Sequence, residues 1–197
     1  MKRSLQRSVV LCALGAVALA GCAGFRQGKV SVASWPLTAT RKPSIGLTVT
    51  LENSLNGKPI DAGAATLLEK ASVQIQELYY ESGLFSEVRR TTEDTDLVAI
   101  IRIKRSEDGS LAMAFLTGLT LYVLPSSADI TWNVRTEFRD RDGKTLGTIE
   151  KTEVVTLWQQ LFLFPVMFVK FPIPVIWGAF DDVHRATLVQ AKAEGIV

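Results

Sequence analysis

Residues 130–156 read ITWNVRTEFRDRDGKTLGTIEKTEVVT and carry the clearest fold signal in the chain. From Ile130 to Phe138, apolar residues and one threonine occupy every second position, and polar or charged residues stand between them. This alternation is typical of a strand that buries one face. The polar loop 140–144, which contains Gly143, then reverses the chain direction. The stretch therefore predicts a β-hairpin.

A strand and a long helix are predicted upstream of this hairpin. Residues 45–52 (IGLTVTLE) alternate with the same period, and the turn pair Asn56-Gly57 follows them. Between Leu67 and Tyr79, apolar side chains recur at steps of three and four residues. That spacing places them on one face of a helix.

The remaining signals complete the predicted topology. Asp61 suits the N-cap of the long helix, and Gly83 suits its C-terminal end. Residues 85–89 and 97–104 predict two more strands, and residues 181–193 predict a final helix. Together these elements indicate an α+β domain of two layers. We expect a mixed or antiparallel sheet covered by the long helix and the C-terminal helix, with an apolar, proline-interrupted segment before the last helix.

The N-terminus has the pattern of an export signal. Lys2, Arg3 and Arg7 form a basic start, residues 9–20 are uncharged, and small residues follow. The uncharged segment is shorter than the roughly 20 residues that a membrane-spanning helix needs. We therefore expect this segment to be removed on export.

The end of this signal, Leu19-Ala20-Gly21-Cys22, resembles the lipobox of bacterial lipoproteins. The resemblance implies cleavage between Gly21 and Cys22, a diacylglycerol on the Cys22 sulfur, and a fatty acid such as palmitate on the new amine. Several acyl chains anchor a protein stably, whereas one chain binds reversibly. Ala23 follows the cysteine where inner-membrane retention usually needs Asp. The resemblance therefore implies a periplasm-facing outer-membrane lipoprotein, and the outer leaflet of the inner membrane is the alternative.

The domain boundaries follow from this N-terminus. We expect a signal peptide at residues 1–21, a lipidated N-terminus with a flexible tether at residues 22–43, and one envelope domain at residues 44–197. The tether is expected because its residues are small, polar and interrupted by glycine and proline. Residues 29–35 have the composition of a short edge strand within it.

Charge and cysteine content exclude several function classes. The chain has a formal charge of +2, but the three basic residues of the signal leave nineteen basic and twenty acidic side chains behind. A near-neutral surface has no electrostatic attraction for nucleic acid. Cys12 belongs to the signal and Cys22 is the expected lipidation site, so we expect no thiol for a disulfide, a zinc site or a nucleophile.

Motifs for catalysis or metal binding are incomplete. The single histidine, His184, follows Asp181 by three residues, and we interpret it as a surface histidine near an acidic helix start rather than a metal ligand. Residues 140–143 resemble the start of a calcium loop, but Ile149 stands where that loop needs Glu. A phosphate-binding loop is excluded because Phe138 occupies a required glycine position. We expect no cofactor, no metal, no catalytic residue and no enzymatic activity.

Residues 83–97 carry a second resemblance. A helix ending at Gly83, the segment Leu84-Phe85-Ser86-Glu87-Val88 and then Asp96-Leu97 look like a pattern in small bacterial envelope lipoproteins. Auxiliary lipoproteins of lipid-exporting ABC systems are among them. The resemblance supports the α+β fold and the envelope compartment. From the sequence as a whole we expect a non-enzymatic envelope module that binds a protein partner or supports an assembly. A lipid-handling accessory of a transport system is the alternative.

Residues 161–177 (LFLFPVMFVKFPIPVIW) contain one charge, Lys170, and three prolines. A membrane span is disfavoured because proline breaks the backbone hydrogen bonding that hydrocarbon demands, and because a charged residue inserts poorly. Two interpretations stay open. Either the stretch fills the core between sheet and terminal helix, or it contacts a membrane or a protein partner.

The candidate contact residues are the aromatic side chains of this stretch and the tryptophans that bracket it. They are Trp158, Phe162, Phe164, Phe168, Phe171 and Trp177. The uncharged residues 111–125 (LAMAFLTGLTLYVLP) are either a buried strand or a second part of the same surface.

Overall fold

Seven strands form one mixed sheet in the computed structural model, which describes residues 21–28, 30 and 35–197. The strands are β1 (Gly21–Arg26), β2 (Ser44–Leu55), β3 (Lys58–Pro59), β4 (Glu87–Arg89), β5 (Leu97–Gly109), β6 (Ser126–Asp140) and β7 (Thr145–Gln160). Their spatial order is β1-β7-β6-β5-β2-β3, and β4 also pairs with β2. Strand β2 runs parallel to β4 and β5, and the other pairs are antiparallel.

Four helices lie in the described part of the chain. They are α1 (Ala64–Glu81), α2 (Leu111–Leu119), α3 (Phe164–Met167) and α4 (Pro172–Ala193), and a short 3₁₀ turn (Leu161–Leu163) precedes α3. Helices α1 and α4 pack on each other and on the sheet, and the core lies between them and the strands. The α+β class and the layered arrangement predicted from the sequence are confirmed.

The predicted hairpin is β6 with β7. The two strands pair over most of their length, and a β-bulge lies between Phe138 and Arg139. The turn is organised by Asp140, whose carboxylate accepts hydrogen bonds from the backbone N–H groups of Asp142 (3.0 Å) and Lys144 (2.9 Å). The apolar positions predicted to face inward, such as Trp132, are buried.

The long helix α1 is confirmed, but its predicted N-cap is wrong. The helix begins at Ala64 after Gly63, which has a φ of 74° and makes no side-chain cap. Asp61 takes part only through its carbonyl oxygen, which accepts a hydrogen bond from the Ala64 N–H at 3.1 Å. At the other end, Gly83 has a φ of 76° just after the last turn, as a C-terminal glycine should.

Two elements differ from their predictions. Residues 111–119 form a helix, so the buried-strand interpretation is wrong, and Ser110 caps the helix by accepting a hydrogen bond from the Met113 N–H at 3.2 Å. The terminal helix α4 begins at Pro172, well before the predicted start at residue 181. Backbone N–H groups in the first turn of a helix have no partner within the helix. The N–H that proline lacks is therefore not needed there, and Pro172 initiates this helix instead of breaking it.

The predicted tether is not observed for residues 22–26, because they belong to β1. This strand pairs antiparallel with β7, and Ala23 is fully buried. The buried Glu153 holds the chain beyond β1, since its carboxylate accepts hydrogen bonds from the N–H groups of Gly28 (3.0 Å) and Val30 (2.9 Å). The predicted signal residues 1–20, and residues 29 and 31–34 of the proposed edge strand, lie outside the described residues.

His184 was expected at the surface, but the structure buries it completely. Its ring packs edge-on against Phe180, with ring centroids 4.6 Å apart, and near Tyr79 at 6.3 Å. Neither ring nitrogen has a hydrogen-bond partner among the described residues. Burial lowers the pKa of His184 to about 3, because the positive form loses its hydration inside the core.

Candidate functional site: an apolar platform beside Cys22

Cys22 lies in the edge strand β1, directly opposite Gln159 of β7. Its side chain is partly buried, and this burial raises the pKa of the thiol. A hydrogen bond with the Gln159 side chain opposes the shift. The expected lipid attachment atom is therefore fixed on the sheet itself, next to the end of β7.

Four strand termini meet at this end of the sheet. The end of β5 pairs with the start of β6 through Gly109 and Ala128, and the start of β6 pairs with the end of β7. The end of β7 pairs in turn with the start of β1 through Gln160 and Gly21. Both apolar segments of the sequence connect to these termini, so the fold brings them to the same end as Cys22.

Backbone hydrogen bonds join the two apolar segments to each other and to β1. The N–H of Leu161 donates to the carbonyl oxygen of Tyr122 at 2.8 Å. The N–H of Gly24 donates to the carbonyl oxygen of Lys170 at 2.9 Å, so the second segment runs along the outer edge of β1. Gly24 also lies against Val175 of α4. The segments therefore form one continuous surface around the N-terminal strand.

We call this surface the apolar platform. Of the nineteen large hydrophobic side chains that are exposed among the described residues, fourteen belong to it. They are Leu111, Met113, Phe115, Leu116, Leu119, Leu121, Val123, Leu124, Trp158, Phe162, Phe168, Val169, Phe171 and Ile173. Monomeric soluble proteins rarely expose a contiguous apolar patch of this kind without a function for it.

The structure divides residues 161–177 between the two interpretations left open for them, since the first part is largely exposed and the last residues pack against the core. Phe162 and Phe168 are each 73% exposed and Phe171 is 47% exposed, so they do not fill the core. Phe164 is partly buried and packs edge-on against Phe168, with ring centroids 5.3 Å apart. Trp158 is 40% exposed. Four of the six candidate contact residues are thus exposed on the platform, and Phe164 packs against one of them, Phe168.

Trp177 is the exception among the candidate contact residues. Its ring packs against Trp132 and Phe180, with ring centroids 5.9 Å and 5.4 Å away. The Lys70 ammonium lies 4.1 Å from the centre of the same ring. Trp177 is partly buried and packs at the margin of the core, and its contact with a membrane or partner stays a prediction.

Residues 111–125 were expected, as one of two interpretations, to add to this surface, but no residue of α2 was singled out as a contact residue. Leu111, Phe115 and Leu119 are 73%, 68% and 65% exposed and recur every fourth residue. The uncharged run 111–125 was the available signal, but Thr117 and Thr120 are too few polar positions to reveal a helical period. Only the cap at Ser110 identifies the helix.

A small cavity lies between α2 and the sheet. Its volume is about 190 Å³, and its lining includes Leu111 and Ala114 of α2 together with Leu157 and Gln159 of β7. This volume is close to that of an apolar protein cavity that binds benzene. The cavity has room for the end of one acyl chain and not for a whole phospholipid.

Within the described part of the chain, no helix alone is long and apolar enough to cross a membrane. The 3₁₀ turn with α3 and the helix α4 pass together by length and composition, but they bend by 58°. The later part of α4 packs in the core, where Phe180, Val183 and Leu188 are fully buried. This half of the pair belongs to the folded domain.

The carboxylates near His184 have protein partners. Asp181 accepts a hydrogen bond from the Gln74 side chain, and burial raises the pKa of Asp181. Asp182 forms ion pairs with Arg26 and Arg185. Among the described residues, no group of three or more His, Cys, Asp or Glu side chains is arranged to hold a metal ion.

No protein-family model matches this sequence, and no curated protein matches it. Among solved structures, a crystal structure of a minor lipoprotein from Acinetobacter baumannii at 2.35 Å is similar. It is 10% identical in sequence, the match covers 77% of this chain and 90% of that chain, and the TM-score is 0.34. A similarity of this size does not transfer the role of that lipoprotein to this chain.

Proposed function

We propose that the protein is a lipid-anchored envelope lipoprotein, held at the periplasmic side of the outer membrane through Cys22, that acts as a non-enzymatic binding or assembly module. The position of Cys22 carries the proposal. The cysteine of the lipobox-like sequence lies at the end of the sheet where the apolar platform is exposed. An acylated Cys22 would place the most apolar part of the surface beside the membrane.

Two features of the domain support a binding role rather than catalysis. His184, the only histidine, is completely buried in the core and cannot exchange protons with a substrate in solution. Away from the platform, the sheet exposes charged side chains such as Arg102, Lys104 and Arg135 on neighbouring strands. This polar surface remains available to a protein partner.

Carriage of a whole lipid is less well supported. The cavity beneath α2, whose lining includes the Cys22 neighbour Gln159, has a volume of about 190 Å³ and is too small for a phospholipid. The geometry therefore favours an anchored module over a lipid carrier.

Palmitate labelling tests the anchor. In cells that process bacterial lipoproteins, the wild-type protein should incorporate labelled palmitate and fractionate with membranes, and Cys22→Ser should lose the label. Cys12→Ser is the matched control and should label like the wild type, because Cys12 precedes the expected cleavage site. An unlabelled wild type, or equal labelling of Cys22→Ser, would contradict the proposal.

A further inference from the structure

We infer that the apolar platform is a second membrane-binding site, which holds this end of the sheet against a phospholipid bilayer independently of the acyl chains. The inference rests on the proposed function for the presence of a bilayer near Cys22. It adds a fixed orientation of the domain and a contact that does not need lipidation.

In the described part of the chain, no linker separates Cys22 from the folded domain. Cys22 is already paired with β7, so the domain has no free chain by which to stand away from its anchor. Residues 9–20, which precede this strand, are themselves uncharged. The membrane-inserting group, whether acyl chain or apolar peptide, therefore joins the domain at Gly21 or Cys22, beside the platform.

Helix α2 is exposed on nearly all sides. Of its nine residues, all within the described part of the chain, Thr117 alone is buried. The Thr117 hydroxyl donates to the Met113 carbonyl at 2.8 Å, so its polarity is satisfied within the helix. A helix that is apolar around its circumference suits an apolar medium on all sides, whereas a groove on a protein partner would need one face. A bilayer is therefore the occupant that fits this helix best.

The platform has a charge pattern that suits the surface of a bilayer. Lys170 is the only charged residue in residues 111–125 and 157–180, and it is exposed. A lysine can keep its stem among acyl chains while its ammonium reaches the phosphates of the headgroups. Trp158 lies at the end of β7, where an indole ring suits the boundary between headgroups and hydrocarbon.

The depth of insertion is limited by the core. Since the later part of α4 packs inside the domain, the segment of residues 161–173 dips into the bilayer and returns. Backbone groups of this segment are partly satisfied by Tyr122, Gly24 and its own short helices. Shallow burial in the interfacial region is therefore compatible with its backbone hydrogen bonding.

Vesicle flotation of the unlipidated protein tests this inference. The mature chain, residues 22–197 with Cys22→Ser, should float with vesicles of phosphatidylethanolamine and phosphatidylglycerol. Phe162→Ser combined with Phe168→Ser should weaken that binding by about a hundredfold, because two aromatic rings no longer enter the hydrocarbon. Leu111→Ser combined with Phe115→Ser should have a similar effect from the other segment.

A matched control uses exposed apolar residues at the opposite end of the sheet. Tyr80 is 67% exposed near the end of α1 and Leu146 is 40% exposed at the start of β7. Tyr80→Ser combined with Leu146→Ser should leave vesicle binding unchanged. Urea unfolding of every variant confirms that the fold is retained.

The possible results separate this inference from the proposed function. An unlipidated protein that stays with the soluble fraction overturns the inference, and so does binding that survives the substitutions in both segments. A protein that does not bind vesicles but dimerises through Phe162 and Phe168 also overturns the inference, because the platform would then contact a second copy of the chain. If flotation follows the prediction while palmitate labelling fails, the anchor is wrong and the platform remains a membrane-binding site.

Discussion

Acidification from pH 7 to pH 5 is expected to lower the free energy of unfolding by about 2 kcal/mol, because His184 is buried in its neutral form. The folded protein holds the pKa of His184 at about 3. In the unfolded chain the same imidazole has its ordinary pKa near 6.5 and takes up a proton as the pH falls. The unfolded state is therefore stabilised as the pH falls below 6.5. The free energy of unfolding continues to decrease toward pH 3.

The variant His184→Leu isolates this effect. Leucine does not titrate, and it removes two buried nitrogens that lack hydrogen-bond partners among the described residues. We expect the variant to be at least as stable as the wild type at pH 7 and to lose much less stability at pH 5. Because the chain has one histidine, no other imidazole contributes to the difference.

Urea unfolding of the unlipidated mature chain at several pH values provides the measurement. The carboxyl pKa values of Asp96 and Glu137 are lowered by hydrogen bonds, so those groups titrate below this window. Burial raises the pKa of Asp181, which gives an opposite slope in both variants. An equal loss of stability in wild type and His184→Leu between pH 7 and pH 5 would show that His184 is accessible to protons in the folded state.

Phe180→Ala is expected to cost about 3–5 kcal/mol of unfolding free energy, whereas Phe168→Ala should change it by less than about 0.5 kcal/mol. Phe180 is fully buried, with Trp132, Trp177 and His184 around it at centroid distances of 4.9 Å, 5.4 Å and 4.6 Å. Its truncation leaves a cavity between α4 and the sheet. Phe168 is 73% exposed and leaves no cavity.

This pair of variants is matched in chemistry and lies twelve positions apart in one apolar region. Urea unfolding in the absence of lipid measures both effects. Similar destabilisation by the two substitutions would show that Phe168 belongs to the core and not to the platform. The expected contrast places the boundary between surface and core within α4.

The sequence predicts elements whose signals are local. The alternation of residues 130–138 and 45–52 appears as β6 and β2, and the recurring apolar residues up to Tyr79 appear as α1. Gly83 ends α1 because a left-handed backbone conformation is needed there. In each case the residues that determine the element are neighbours in sequence.

Features that depend on distant partners were not predictable in this way. Strand β1 forms because β7 offers it a free edge, and its own composition resembles a linker. His184 is buried because its side of α4 packs against α1, where its ring lies near Tyr79. The platform arises only when the ends of four strands bring residues 111–124 and 158–173 together.

The most direct test of the account is the depth of residue 168 in the membrane-bound lipoprotein. With Cys12 removed and Cys22 acylated, the processed protein has no native thiol to compete with a single introduced cysteine. A fluorophore on Phe168→Cys should be quenched by brominated phospholipids, while the same fluorophore on Tyr80→Cys should not be. Equal quenching at both positions, or none at position 168, would contradict a domain that is anchored at Cys22 and rests on its apolar platform.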